Sequence, residues 1–230
     1  MSPPQLPLAL RFPPDQRLDT YLDAPAAALA QLRALAEGAS ADWLYVAGPA
    51  GVGKTHLALG VCAAAEAAGR RAAYLPLASA AGRLRDALDA FEGHELLALD
   101  GVEAIAGNRD DALALFDFHN RARAAGTGLL YASRDSPDAL ALDLADLRSR
   151  LSQCTRIALQ PLDDAGRAEV LRQRASRRGL QLDDAAIEWL LKRVERDLAS
   201  LTGCLDELDH ASLAAQRRIT VPFLRQVLGG

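Results

Sequence analysis

The stretch from residue 43 to residue 69 constrains the fold more than any other, because a glycine-rich loop separates two segments of different pattern. Gly48–Thr55 fits glycine, four residues, glycine, lysine and threonine at every specified position. Residues 43–47 are apolar and partly β-branched, which predicts a buried parallel strand. Residues 56–68 are rich in alanine and leucine and precede Gly69, which predicts a helix. A strand, a glycine loop and a helix in this order predict a phosphate-binding loop.

Each part of this loop has a chemical role at a nucleotide. Glycines allow the backbone to turn its N–H groups toward the β-phosphate, and the following helix directs its positive end there. Only two of the 26 basic residues are lysines, and Lys54 places a compact ammonium at the phosphates. Thr55 is predicted to ligate the Mg²⁺ of a bound nucleotide. The residues predicted to contact the nucleotide are Gly48, Pro49, Ala50, Gly51, Val52, Gly53, Lys54, Thr55 and His56.

Composition excludes several other classes of protein. With 230 residues and 50 % hydrophobic residues the chain can bury a substantial core in one or two domains. The net charge of -4 offers no general basic field for nucleic acid. The three cysteines have no metal or redox spacing, which favours buried thiols in a reducing compartment. No membrane-spanning or signal segment is expected, so we expect a cytoplasmic protein.

Strand and helix patterns alternate up to about residue 161. This alternation predicts a parallel sheet with helices on both faces. The predicted strands are 44–47, 72–75, 96–100, 129–133 and 156–159. The predicted helices are 24–36, 55–68, 80–91, 110–125 and 144–152.

Beyond residue 161 only helical patterns follow, at 163–177, 183–194, 198–208 and from residue 220. They predict a small helical bundle. At the other end, residues 1–14 hold five of the 11 prolines and predict an extended tail. We therefore expect a tail at 1–14, an α/β nucleotide-binding domain at 15–161 and an all-α lid domain at 162–230.

An apolar strand at 96–100 ends in Asp100, 46 residues after Lys54. Beside a phosphate loop, such an acid holds Mg²⁺ through its water shell. The alternative is that Asp100 only caps a turn before Gly101. ATPases that activate water usually place a second carboxylate where Gly101 stands here. Glu103 could compensate or could be a surface acid, so efficient intrinsic hydrolysis is in doubt.

Two further polar positions follow the next strands. Ser133 would lie near the γ-phosphate if its strand neighbours the loop strand, although serine is also common in ordinary turns. Residues 146–151 predict a short helix that contains Arg148 and Arg150. Arginines two residues apart do not share a helix face. One of them is therefore predicted to point away from the subunit.

The order of these motifs resembles that of the DnaA-like group of AAA+ ATPases over nearly the whole chain. Residues 100–107, 116–121 and 219–223 resemble a regulatory member of that group, which inactivates the bacterial replication initiator DnaA. The resemblance implies that Arg150 is an arginine finger acting on the ATP of a neighbouring subunit. Such fingers raise the hydrolysis rate by about 10³–10⁵. A solvated surface arginine is the alternative.

The resemblance also gives roles to the N-terminal residues. Residues 5–10 resemble the peptide with which such proteins dock on the DNA polymerase III sliding clamp, against the default of a disordered tail. The clamp-binding residues would be Gln5, Leu6, Leu8 and Leu10. Residues 17–22 resemble the segment that covers adenine in this family. Tyr21 or Leu22 would do so here, or the segment would simply pack on the sheet.

One departure from the family affects the prediction of activity. The lid of DnaA-like ATPases carries a sensor arginine, and the matching position here is Ala199, with Arg196 one turn earlier. Together with Gly101, this favours a chain that holds nucleotide, ADP in particular, as a conformational ligand.

We therefore expect a negative regulator of replication initiation at the bacterial nucleoid, with DnaA and the sliding clamp as partners and DNA contacted through the clamp. A homo-oligomer is compatible with the sequence. The alternative is an autonomous AAA+ ATPase such as a helicase loader or clamp-loader subunit. A DNA-binding initiator is not favoured, because no DNA-reading domain follows the lid.

Overall fold

The structure is a computed structural model, and it describes residues 16–22, 24–193, 200, 203–205, 207–208, 211 and 219–228. Contacts divide the described residues into two units. The α/β unit takes those within Met1–Tyr21, Pro25–Ala47 and Lys54–Ile157. The helical unit takes those within Leu22–Ala24, Gly48–Gly53 and Ala158–Gly230.

A five-stranded sheet forms the centre of the α/β unit, in the order β2-β3-β4-β1-β5. The pairs β2–β3, β3–β4 and β1–β4 are parallel, as the sequence predicted. Leucine, alanine and tyrosine fill these short strands, and β1, β3 and β4 are almost fully buried. The strands are β1 (Leu44–Ala47), β2 (Ala72–Pro76), β3 (Leu96–Asp100), β4 (Gly128–Ser133) and β5 (Thr155–Ala158).

The position of β4 between β1 and β3 determines which side chains meet at the carboxyl edge of the sheet. Ala47 at the end of β1 lies beside Ser133 at the end of β4. Asp100 at the end of β3 lies beside Ala132, one residue before Ser133. The acid and the serine therefore emerge at the same edge, on adjacent strands.

Helices cover the sheet and bury a core of leucine, alanine and aromatic side chains. Two 3₁₀ turns, Leu18–Thr20 and Val102–Ile105, accompany them. The helices of this unit are α1 (Ala26–Glu37), α2 (Lys54–Ala67), α3 (Leu77–Ala80), α4 (Leu84–Asp89), α5 (Arg109–Ala125) and α6 (Ala145–Ser152).

The prediction of a single helix over 80–91 is wrong. The segment instead contains the end of α3, a turn and α4. Gly82 lies in the turn with φ 79°, in the left-handed region that ends helices. The Asp111 carboxylate on α5 accepts hydrogen bonds from the backbone N–H groups of Gly82, at 2.6 Å, and Leu84, at 3.1 Å. This tertiary contact holds the turn that separates the two helices.

The helical unit contains α7 (Asp164–Arg177), α8 (Asp184–Arg193) and α9 (Val221–Leu228). Asp163 caps α7 by accepting a hydrogen bond from the Gly166 N–H at 2.7 Å. An isolated parallel β-bridge joins Leu182 and Ile219, which the prediction of helices alone did not include. The helix predicted over 198–208 lies only partly within the described residues. No helix in the described part of the chain is long and apolar enough to cross a membrane.

Candidate functional site

The glycine loop has the backbone conformation that its sequence requires. Gly51 and Gly53 have φ angles of 76° and 94°, in the left-handed region that side chains disfavour. Gly48 is needed for a different reason, because an added Cβ would lie 2.7 Å from the carbonyl oxygen of Leu159. Residues with side chains would therefore disturb the loop at all three positions.

Lys54 begins α2 immediately after the loop. Burial lowers the pKa of its ammonium, while the carboxylates of Glu103 and Asp100 act in the opposite direction. The lysine therefore stands in a partly desolvated position with negative charge nearby. A phosphate group placed there would compensate the desolvation cost by adding further negative charge.

Thr55 and Asp100, the two predicted metal-site residues, are in direct contact. The Thr55 hydroxyl donates a hydrogen bond to Oδ2 of Asp100 at 2.5 Å. Both provide oxygen donors, which Mg²⁺ prefers. Mg²⁺ usually keeps several waters and takes one or two protein ligands plus phosphate oxygens, so this pair fits such an ion. The described residues contain no group of three or more His, Cys, Asp or Glu suited to a metal.

Tyr74 also belongs to this corner, although the sequence analysis did not select it. Its hydroxyl donates to Oδ2 of Asp100 at 2.9 Å. Tyr74 lies two residues before Pro76, which pairs with Asp100 across the β2–β3 ladder. Strand alternation directs Tyr74 and Pro76 to the same face. Only the strand order could have shown this neighbour, and the sequence did not provide that order.

Glu103 is hydrogen-bonded to Ser133, the residue predicted to lie near the γ-phosphate. Its Oε2 accepts hydrogen bonds from the Ser133 hydroxyl at 2.9 Å and from the Arg134 N–H at 3.1 Å. Its Oε1 lies 3.2 Å from Nε of Arg134. The carboxylate of Glu103 is thus neither a simple surface acid nor an unengaged base, since both of its oxygens have partners.

The segment at 17–22 packs on the start of α2. Nε2 of His56 lies 2.8 Å from the Arg17 carbonyl oxygen, and the Tyr21 ring meets the His56 ring edge-on at 5.4 Å. A Cβ added to Gly60 would lie 3.0 Å from the backbone nitrogen of Leu18. The segment therefore packs on α2, and these contacts direct the His56 side chain toward it.

Other predicted residues are less informative. Leu22 is partly buried and belongs to the helical unit. The predicted clamp-binding residues and both candidate lid positions lie outside the described residues. These are Gln5, Leu6, Leu8, Leu10, Ala199 and Arg196.

Arg150 lies on α6 in a surface pocket of the α/β unit. Among the described residues its guanidinium has no hydrogen bond and no ion pair. The Arg123 guanidinium lies 5.5 Å from the centre of the Trp43 ring, and the His119 ring meets that ring edge-on at 4.4 Å. The pocket is lined by Ala41, Asp42, Trp43, His119, Arg123, Arg150, Gln153, Cys154 and Thr155.

This pocket lies at the amino edge of the sheet. Trp43 immediately precedes β1 and Thr155 begins β5. Asp100 and Ser133 end their parallel strands at the opposite, carboxyl edge. The four residues of β1 alone separate the two edges by about 13 Å. Arg150 and the Thr55–Asp100 pair therefore lie at opposite edges of one sheet.

Comparison with solved structures identifies the fold. Domain III of the DnaA replication initiation protein of Thermotoga maritima superposes with a TM-score of 0.79 at 18% identity, covering 94% of this chain and 97% of that one. AMPPCP-bound DnaA from Aquifex aeolicus superposes with a TM-score of 0.70 at 20% identity, covering 88% of this chain and 67% of that one. The RuvB Holliday junction branch migration motor of Thermotoga maritima superposes with a TM-score of 0.66 at 19% identity, covering 93% of this chain and 71% of that one.

A match to a family model characterises the helical unit more closely. Residues 164–228 match the model of the Hda lid domain. The predicted fold class, a parallel AAA+ sheet followed by a helical lid domain, is confirmed by these comparisons.

Proposed function

We propose that this chain, which has the fold of DnaA domain III and matches the Hda lid-domain model over residues 164–228, is a negative regulator of bacterial replication initiation. In this proposal the chain holds ADP and acts at the nucleoid. It docks through residues 5–10 on the sliding clamp loaded on DNA, and it presents Arg150 to the ATP bound by DnaA. DnaA then hydrolyses that ATP and loses its competence for initiation.

The phosphate loop and the Thr55–Asp100 pair support nucleotide binding. Backbone N–H groups of the loop would bind the β-phosphate, and the Lys54 ammonium would add a charge-assisted contact. Thr55 and Asp100 would hold Mg²⁺, which supplies charge neutralisation at the phosphates. The solved DnaA of Aquifex aeolicus is described as AMPPCP-bound, and it shares this fold.

One observation carries the regulatory proposal: Arg150 lies at the sheet edge opposite Asp100 and Ser133. An arginine finger must approach the γ-phosphate closely to stabilise charge in the transition state. Across about 13 Å of strand, Arg150 does not meet that need for the site on its own chain. On a molecular surface, it is available to a nucleotide bound by a neighbouring molecule.

Weak intrinsic hydrolysis fits the same proposal. Gly101 follows Asp100 where many ATPases have a second carboxylate. Glu103, the nearest substitute, already accepts hydrogen bonds from Ser133 and Arg134. To act as a general base it would have to exchange these partners for a water molecule. The bound nucleotide would therefore persist and stabilise the bound conformation of this chain.

The decisive experiment measures single-turnover hydrolysis of DnaA-bound ATP with clamp-loaded DNA and this chain. Arg150→Ala should lower the stimulated rate by about 10³-fold or more. Arg148→Ala is the matched control, because it removes the same charge two residues away on α6 and Arg148 does not line the pocket. If Arg150→Ala stimulates as well as the unchanged chain, the proposed function is wrong.

A second candidate is an autonomous AAA+ ATPase, such as a helicase loader or clamp-loader subunit. The Thr55–Asp100 contact favours it, because this corner carries the oxygen donors for Mg²⁺. This candidate requires ATP turnover by the chain alone, and Lys54→Ala and Asp100→Ala must both abolish that turnover. Steady-state phosphate release by the isolated protein distinguishes it from the regulator, which should show little turnover without DnaA.

A further inference from the structure

The pocket around Arg150 contains a second arginine that the proposed mechanism does not use. Arg123 on α5 lies beside the Trp43 ring, and neither guanidinium has an ion-pair partner among the described residues. Asp42 is the acidic residue of the lining, and its exposed carboxylate offsets one of the two positive charges. The pocket therefore carries a net positive charge on a surface of a chain whose overall charge is -4.

His119 also lines this pocket. Its side chain is 1% exposed, and Nδ1 lies 3.0 Å from the hydroxyl of Tyr131. Burial raises the pKa of the Tyr131 hydroxyl well above 10, so this group stays protonated. Nδ1 is the acceptor that the described residues provide for it. The proton of the neutral imidazole then resides on Nε2, which has no hydrogen-bond partner in the described structure.

The imidazole stays neutral at physiological pH. Burial lowers the pKa of His119 to about 4, and the charges of Arg150 and Arg123 act in the same direction. The imidazole therefore adds no charge to the pocket, and the two guanidiniums are donors whose common ligand is an oxyanion.

We propose that the guanidiniums of Arg123 and Arg150 form one oxyanion-binding pocket, and that Arg123 is a second phosphate-binding arginine beside Arg150. This inference rests on the proposed function for its occupant, the terminal phosphate of ATP held by the partner molecule. Trp43 keeps the Arg123 guanidinium at the pocket through a cation–π contact. Two arginines share the charge that develops on the transferred phosphoryl group.

Binding of an oxyanion can be tested on the protein alone. The chain has two tryptophans, Trp43 and Trp189, so a Trp189→Phe background leaves Trp43 as the reporter. Tripolyphosphate is titrated with saturating Mg-ADP present, which occupies the phosphate loop. We expect a saturable change in Trp43 fluorescence, with affinity at least tenfold weaker in Arg123→Gln and in Arg150→Gln.

Arg121→Gln is the matched control for Arg123. It removes the same charge from α5, but Arg121 pairs with Asp89 and Glu92 and does not line the pocket. Its tripolyphosphate affinity should equal that of the unchanged chain. Equal tripolyphosphate affinities of Arg123→Gln and Arg121→Gln, or no saturable signal in the unchanged chain, would overturn the proposal that this pocket binds an oxyanion.

The single-turnover assay with DnaA tests the role of Arg123 in the complex. Arg123→Gln should lower the maximal rate at least tenfold without lowering the midpoint of thermal unfolding more than Arg121→Gln does. If Arg150→Gln lowers the rate but Arg123→Gln does not, the role of Arg123 as a second phosphate-binding arginine is refuted and the proposed function stands. If neither variant lowers the rate, the proposed function fails together with the assigned occupant. In that case the tripolyphosphate titration still decides whether the pocket binds an oxyanion.

Discussion

The Asp100 carboxylate accepts hydrogen bonds from hydroxyl groups on two different elements. Thr55 comes from the first turn of α2 and Tyr74 from β2, and both donate to Oδ2. Two donors at one oxygen fix the orientation of the carboxylate. The carboxylate is therefore already oriented, and it would accept hydrogen bonds from the water shell of Mg²⁺ without changing its rotamer.

This geometry predicts a metal-dependent loss of nucleotide affinity in Asp100→Asn. With Mg²⁺ present, ADP affinity should fall at least tenfold, because the charge that balances the metal is removed. In EDTA the variant and the unchanged chain should bind ADP alike. Titration of a fluorescent ADP analogue under both conditions measures the difference.

Tyr74→Phe is the matched control, since it removes a hydrogen bond to Asp100 but keeps the metal-site oxygens. Its loss of affinity in Mg²⁺ should be about threefold, in keeping with one partly exposed hydrogen bond. An equal loss in Asp100→Asn with and without Mg²⁺ would show that the carboxylate acts on folding or on the loop instead of on the metal.

At the scale of elements, Asp111 joins α5 to the turn between α3 and α4. Its carboxylate is 2% exposed and accepts from two backbone N–H groups of the turn, those of Gly82 and Leu84. Asp111→Ala leaves both donors without this acceptor. We predict that the free energy of unfolding falls by about 2–4 kcal/mol, as measured by urea denaturation monitored by circular dichroism.

Asp110→Ala provides the comparison, because Asp110 lies in the first turn of the same helix with an exposed side chain. It should cost about 0.5 kcal/mol, from the weakened interaction with the helix dipole. A similar, small loss in both variants would mean that the turn keeps its backbone hydrogen bonds without the Asp111 carboxylate.

The same elements show how far the sequence determined the fold. Buried parallel strands are continuous apolar runs, so β1 and β3 were predicted residue for residue. The helix predicted over 80–91 failed because the pattern continued across Gly82, while the contact that breaks it comes from Asp111, far along the chain. Local pattern predicts an element; it does not reveal a distant partner that interrupts it.

The candidate site divides in the same way. The loop at 48–55 could be selected from its fixed spacing, and Asp100 from its position at the end of an apolar run. The partners of Glu103 could not be found, since they depend on β4 lying between β1 and β3. The pocket of Arg123 and Arg150 has the same origin, because α5, α6 and the residue before β1 meet only in the folded sheet.

At the scale of the whole molecule, the proposed regulator combines two contacts that are weak alone, one with the clamp and one with DnaA. The peptide at 5–10 would concentrate the chain on clamp-loaded DNA, and Arg150 would act only once DnaA is near. Tethering makes the second contact intramolecular, with effective concentrations that strengthen binding by about 10²–10⁴. Neither part needs high affinity for its own partner.

This division predicts different kinetic defects for the N-terminal peptide and for Arg150. In Gln5→Ala/Leu8→Ala, the concentration for half-maximal stimulation of DnaA should rise about 10²-fold on clamp-loaded DNA, while the maximal rate stays the same. Arg150→Ala should instead lower the maximal rate at every concentration, because it removes the stabilising charge. Pro3→Ala/Pro4→Ala changes the same tail outside the peptide and should behave as the unchanged chain. If the Gln5→Ala/Leu8→Ala variant loses maximal rate, the tail contributes to the catalytic assembly itself, and the separation into a tether and a finger is wrong.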